Sequence, residues 1–151
     1  VIWQTGRYYE AEMKQFLEHY PAKNIWQGAF IDRMDYAYAV ADVVISRSGA
    51  CTVSELCLAG KPTLFVPSPN VAEDHQTKNA LALVNKNAAL YVKDIEAKDL
   101  LLDKAIEAVK QPDLLKNLSK NITELAFTDS ANIIAKEVIK LAEKYKEEHG
   151  C

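Results

Sequence analysis

The stretch Ala41-Asp42-Val43-Val44-Ile45-Ser46-Arg47-Ser48-Gly49-Ala50-Cys51-Thr52-Val53-Ser54-Glu55 decides the fold. An apolar, β-branched run breaks at Ser-Gly and restarts as a helical pattern, so it reads as a buried strand turning into a helix. Such a turn aims backbone N–H groups at whatever lies above the strand's end, an arrangement that favours phosphate. Glu55 is expected in the first turn of that helix, close enough to contact a second group of the same ligand. Together the two features point to a nucleotide.

Outward from this turn, strand-like runs alternate with helical patterns. Upstream, Val1 to Thr5 is β-prone, and Tyr8 to His19 is amphipathic with Met13, Phe16 and Leu17 on one side and Pro21 ending it. Ile25 to Phe30 reads as a second strand, Met34 to Val40 as a short helix and Val43 to Ile45 as a third strand. Downstream, a helix over Thr52 to Ala59 stops at Gly60 and Pro62, and Thr63 to Val66 is a wholly apolar-facing strand ended by Pro67. Continuous burial of that kind belongs to a parallel sheet covered on both faces. A loop through Pro67, Pro69 and Asn70 leads to a helix from about Glu73 to Asn85, and Ala88 to Val92 is a fifth strand. The rest reads as helices over Ala97 to Lys110, Pro112 to Ala126 and Ala131 to Glu148, the last with Ile134, Val138, Leu141 and Tyr145 on one stripe. This alternation predicts an open, doubly wound, mostly parallel α/β sheet in one domain, with ligand-binding loops at the strands' C-terminal ends.

Composition narrows the function classes. The 151 residues suit one domain with a sizeable core. A net charge of -3 with dispersed basic residues argues against a nucleic-acid footprint. No run approaches the roughly 18 apolar residues of a membrane span, and no leader pattern opens the chain. Cys51, Cys57 and Cys151 are an odd number without metal-ligand spacing, which reads as reduced thiols in a cytosolic protein. The chain opens on Val1 with no initiator Met or polar lead-in, so it is expected to begin inside a sheet, as a fragment.

Each candidate site also has a purely structural reading. Thr52-Val53-Ser54-Glu55 fits a capping box, with Thr52 as cap and Glu55 reaching back to a free N–H. Gly49 and the position at a binding edge favour a ligand instead. Phe30-Ile31-Asp32 can simply pack a strand end, and Asp74-His75-Gln76 can cap a helix and balance its dipole.

Four linked motifs then carry a resemblance: Phe30 to Met34, Ala41 to Glu55, Gly60-Lys61-Pro62 with Phe65-Val66-Pro67, and Asp74 to Ala80. In order and spacing they resemble the C-terminal half of the MurG family. These bacterial enzymes transfer N-acetylglucosamine from UDP-N-acetylglucosamine (UDP-GlcNAc) to the undecaprenyl-diphosphate-linked muramyl pentapeptide, and so serve peptidoglycan synthesis, cell shape and division. The resemblance implies a Rossmann-like, donor-binding half of a two-domain GT-B glycosyltransferase, truncated at its N-terminal end.

Residue by residue, Ile31 matches the position whose main-chain groups pair with the uracil edge. Ala50, Cys51, Thr52 and Val53 match the helix start facing the donor diphosphate, with Ser54 beside them among the substrate-binding positions. Glu55 matches the carboxylate that accepts from the ribose hydroxyls. Gln76 matches a glutamine on the sugar hydroxyls, with His75 next to it at a more variable position. No catalytic residue or metal site is implied within this chain. The general base and the acceptor site are expected from an N-terminal domain, and a second glycine-rich phosphate loop is expected before Val1.

The resemblance further implies no tightly bound cofactor, with a divalent cation as an assistant to the diphosphate. The whole protein is then expected at the cytoplasmic face of the inner membrane as a peripheral enzyme, and this piece as a soluble, inactive part. Two other readings stand beside it: the UDP-GlcNAc-binding subunit of a dolichol-pathway transferase, and a non-catalytic α/β interaction module.

Overall fold

The computed structural model describes residues 1–71 and 74–150. Two compact units emerge, Val1–Ala41 and the residues from Asp42 onward. Both follow the strand-helix alternation expected from the sequence. Cys151 and the Glu73 end of the expected fourth helix lie outside the described residues.

The first unit contains β1 (Ile2–Gln4), α1 (Gly6–His19), β2 (Trp26–Gly28) and α2 (Met34–Val40). The strands pair in parallel, with Ile2 opposite Trp26 and Gln4 opposite Gly28. Beyond the ladder, Thr5 N–H donates to the Gly28 carbonyl and Gly6 N–H to the Ala29 carbonyl, at 3.0 and 3.1 Å. α1 starts two residues earlier than its amphipathic pattern predicts, because Gly6 takes the left-handed φ of 73° that turns the strand into the helix. Met13 and Leu17, one helical turn apart, are half-buried, whereas Phe16 is exposed. Pro21 ends α1 as expected: it drives Tyr20 out of helical geometry, to φ -122° and ψ 70°.

The second unit contains β3 (Val44–Ser46), α3 (Ala50–Ala59), β4 (Thr63–Phe65), α4 (His75–Val84), β5 (Leu90–Tyr91), α5 (Asp94–Val109), α6 (Pro112–Thr123) and α7 (Ser130–His149). Its sheet order is β3-β4-β5, all parallel. The central strand β4 is buried along its whole length, as its continuous pattern predicts. Period-two alternation splits its side chains between the faces. Leu64 and Val66 join Val92 on a core against Ala97, Leu101 and Ala105 of α5. α3 packs on α4 and α6, where Leu118 and Ile122, one turn apart, are the buried residues of α6.

Gly60 closes α3 in a Schellman arrangement. With φ 63° its N–H reaches the Cys57 carbonyl, Lys61 N–H reaches the Leu56 carbonyl, and Ser119 Oγ of α6 donates to the Gly60 carbonyl at 2.7 Å. A Cβ there would stand 2.7 Å from Thr123 Oγ1.

Several boundaries differ from expectation. β2, β4 and β5 are shorter, α5 begins at Asp94 rather than Ala97, and α6 ends at Thr123 rather than Ala126. The strands are paired as two ladders, β1-β2 and β3-β4-β5, where the alternation alone predicts one sheet. α7 keeps its apolar stripe, but none of its residues is buried, and Ile134, Val138, Leu141 and Tyr145 are all exposed. Among the described residues no helix is long and apolar enough to cross a membrane.

Candidate functional site

At the C-terminal edge of β3-β4-β5, three loops leave the sheet. Ser46 is the last residue of β3, and the chain turns through Arg47, Ser48 and Gly49 into α3. Gly49 is the N-cap, in extended geometry at φ -63° and ψ 149°, and Val53 N–H makes the first helical bond, to the Gly49 carbonyl at 2.9 Å. α3 thus begins at Ala50, two residues before the position the sequence predicts. This overturns the capping-box reading. Thr52 lies inside the first turn, no side chain caps the helix, and the first turn carries no acidic residue. Glu55 is in the second turn, exposed, and the expectation of a first-turn carboxylate is corrected accordingly.

The helix start is therefore undressed. Glycine at the N-cap has no side chain to offer the N–H groups of Ala50, Cys51 and Thr52, and Ala50 and Cys51 are exposed. Such N–H groups, with the positive end of the helix dipole behind them, can receive an anion. Val53 is half-buried and Ser54 exposed.

Polar side chains hold this edge in place. Arg47 Nη1 donates to the Val66 and Pro67 carbonyls at 3.0 and 3.2 Å and meets Asp94 Oδ1, so one guanidinium ties together the segments that follow β3, β4 and β5. Ser48, fully buried, donates from Oγ to the Gln76 carbonyl at 2.8 Å, while Asn79 Nδ2 donates to the Ser48 carbonyl at 3.0 Å. Gln76 Oε1 accepts from Ser68 N–H at 2.9 Å. The start of α3, the start of α4 and the loop after β4 are thereby locked to one another. With the carbonyl end of Gln76 engaged, a further hydrogen bond from this side chain would be donated by its amide nitrogen. Asp74, just before α4, takes a left-handed φ of 53°, and His75 is exposed at the helix start.

Arg47, Ser48 and Asn79 lie within the quoted motifs, but no role is read for them individually from the sequence; for Arg47 and Ser48 the available signal is a cation and a hydroxyl directly after an apolar strand.

Ile31 belongs to the first unit, two residues after the β1-β2 ladder extension. It is half-buried, and its N–H donates to Gln4 Oε1 at 3.0 Å. With Ile2, Trp26, Tyr36 and Val40 it also lines a surface cleft of about 350 Å³. Nearby, Arg33 pairs bidentately with Asp35, through Nε at 3.0 Å and Nη2 at 2.6 Å, and its guanidinium lies 3.7 Å over the Tyr36 ring. This pairing holds the exposed Asp35 carboxyl below its usual range.

Burial raises the Cys57 thiol above its ordinary range, whereas Cys51 is exposed at the α3 start. Among the described residues no group of three His, Cys, Asp or Glu side chains converges as metal ligands would.

Residues 1–137 match the Glycosyltransferase family 28 C-terminal domain. The chain belongs to that family. As a family 28 C-terminal domain it is 60% identical, over 99% of its length, to the UDP-N-acetylglucosamine--N-acetylmuramyl-(pentapeptide) pyrophosphoryl-undecaprenol N-acetylglucosamine transferase of Phocaeicola vulgatus, covering 40% of that protein. It is 53% identical over 95% of its length to the transferase of the same name from Parabacteroides distasonis, covering 39% of it. The chain thus spans about two fifths of these relatives. Its fold is shared with the crystal structure of Acinetobacter baumannii MurG, with a TM-score of 0.80 and 28% identity over 92% of this chain and 40% of that one. The family 28 fold and the Rossmann-like α/β class expected from the sequence therefore agree.

Proposed function

We propose that residues 1–151 serve as the UDP-sugar-binding domain of an inverting glycosyltransferase. That enzyme moves N-acetylglucosamine from UDP-GlcNAc to an undecaprenyl-diphosphate-linked muramyl pentapeptide at the cytoplasmic membrane face. The observation that carries this reading is the uncapped start of α3 at the C-terminal edge of a parallel sheet, in a chain of this family.

The chemistry follows from these groups. When the acceptor hydroxyl displaces UDP at the anomeric carbon, negative charge accumulates on the leaving diphosphate. N–H groups of Ala50, Cys51 and Thr52, already fixed in direction, stabilise that charge without reorganising. No cluster among the described residues would hold a divalent cation; one that arrived with the diphosphate would supply further neutralisation of its charge. Glu55, on the exposed side of α3, accepts from the ribose hydroxyls. Gln76 offers its amide N–H2 to the sugar hydroxyls, with His75 beside it, and the main chain of Ile31 reads the uracil edge. The general base and the lipid-linked acceptor belong to a further domain of the intact protein.

Calorimetric titration of UDP-GlcNAc into the intact protein tests the assignment. Glu55→Ala is expected to weaken binding about tenfold, as loss of a charge-assisted hydrogen bond does. Its unfolding midpoint should stay within about 1 °C, because Glu55 caps nothing. Unchanged affinity with a lowered midpoint would remove Glu55 from the ligand site.

A further inference from the structure

Ile31 N–H is already in use. Its partner is the side-chain carbonyl of Gln4, the last residue of β1, 27 positions away in sequence and on the exposed side of the bond. The main-chain ladder runs past Gln4, from Thr5 to Gly28 and from Gly6 to Ala29, and stops short of Ile31. No backbone carbonyl of the ladder thus reaches Ile31, and the carboxamide fills in.

The acceptor's chemistry is informative. A carboxamide oxygen and the C4 carbonyl of uracil are both neutral sp² oxygens conjugated to nitrogen, and they make the same demand on an N–H. An exposed hydrogen bond of this type is worth little net free energy, since water replaces it on opening, so a ligand can displace it.

We infer that Gln4 is a stand-in for the nucleobase: its Oε1 occupies the place on Ile31 N–H that the uracil carbonyl takes, and it swings away when a uridine nucleotide binds. This rests on the reading that the Ile31 main chain recognises uracil. The bond keeps the Ile31 donor satisfied and its peptide oriented while the site is empty. It also lowers apparent affinity by the fraction of time the donor is occupied. For a donor whose product carries the same uridine diphosphate, such an internal competitor speeds release of both.

Titration of UDP and CDP into the intact protein, as wild type, Gln4→Ala and Gln4→Glu, tests the inference. Gln4→Ala is expected to bind UDP about two- to tenfold more tightly, by removing the competitor. Gln4→Glu should bind UDP more weakly than wild type, because a carboxylate holds the Ile31 N–H harder. If Gln4 served only to shape the loop, both variants would bind more weakly, and UDP affinity in Gln4→Ala equal to or below wild type overturns the stand-in. The cytosine amino group cannot accept from Ile31 N–H, so wild-type protein that binds CDP as well as UDP defeats the uracil reading itself, and the stand-in with it. A wild-type preference for UDP without tightening in Gln4→Ala defeats the stand-in alone. Unfolding midpoints confirm that each variant is folded.

Discussion

Residues 1–41 and the residues from Asp42 onward use the same strand-helix vocabulary, yet they bury apolar side chains very differently. In the first unit no residue is fully buried, and Trp26 and Phe30 are 49% and 66% exposed. In the second, Leu56, Leu64, Phe65 and Ile122 are at 0%. A two-stranded ladder has no interior strand, so each of its strands is an edge. Adding a third strand gives β4 two paired sides, and helices on both faces then exclude water from it. Polar side chains make half-buried bonds in both units, Gln27 to Thr5 in the first and those of Arg47, Ser48 and Asn79 in the second, whereas the Gln4 bond to Ile31 is exposed. The more deeply buried unit holds the α3 start; the more exposed one holds the Ile31 N–H bonded to Gln4.

Truncating side chains in each unit gives the largest test of this contrast. Leu64→Ala should cost about 3 kcal/mol of stability, within the range for leucines in tight cores. Tyr8→Ala, at a position 87% exposed, should stay within about 0.5 kcal/mol. Urea denaturation of the intact protein measures both, and equal losses would break the comparison.

The left-handed glycines come next. Gly60→Ala should cost about 2 kcal/mol, since it strains the backbone and drives Cβ toward Thr123 Oγ1. Gly6→Ala, with φ 73° but nothing within 4 Å of the new carbon, should cost about 1 kcal/mol from backbone strain alone. If the two losses match, crowding at Gly60 is irrelevant.

A smaller effect is expected at the strand-end staple. Arg47→Met keeps the aliphatic stem but leaves the Val66 and Pro67 carbonyls without their donor, and should lower stability by about 1 kcal/mol. The companion ion pair to Asp94 adds little, because the arginine side chain is half exposed. Hydrogen exchange should quicken around 66–70 in this variant and stay unchanged in residues 1–41.

The smallest effect concerns the thiols. Cys51 should react with an aromatic disulfide reagent at once, and Cys57 only on unfolding. Burial raises the Cys57 thiol in the folded state, so the folded protein keeps that proton longer than the unfolded chain. The resulting stability is complete below the ordinary thiol range and fades as pH rises through the raised value. A Cys57→Ser variant should lose this alkaline sensitivity while Cys51→Ser keeps it.

Much of the architecture is legible in the sequence. Apolar runs bounded by Gly and Pro mark the strands, and the short helix read over Met34 to Val40 has the same bounds in the structure. Burial of β4 followed from its unbroken apolar character. The start of α3 was misread for an instructive reason: Thr52 and Glu55 have the spacing of a cap, but Gly49 already sits in extended geometry, and the helix nucleates from it without side-chain help. Local pattern cannot tell a cap from its neighbour when both are chemically competent. The recognition roles proposed for Ile31 and Gln76 rest on the resemblance of whole motifs, since neither side chain announces such a role.

The amino-acid sequence by itself determined the order and type of the elements, the parallel α/β class and the family, because hydrophobic period, turn residues and linked motifs are local properties of the chain. Only the tertiary structure decided which polar groups are spoken for. Arg47 meets partners 19 to 47 residues away, Ser48 and Asn79 meet across about 30, and Gln4 reaches Ile31 across 27. A hydrogen bond forms where folding brings donor to acceptor within about 3 Å, and no spacing along the chain encodes that distance.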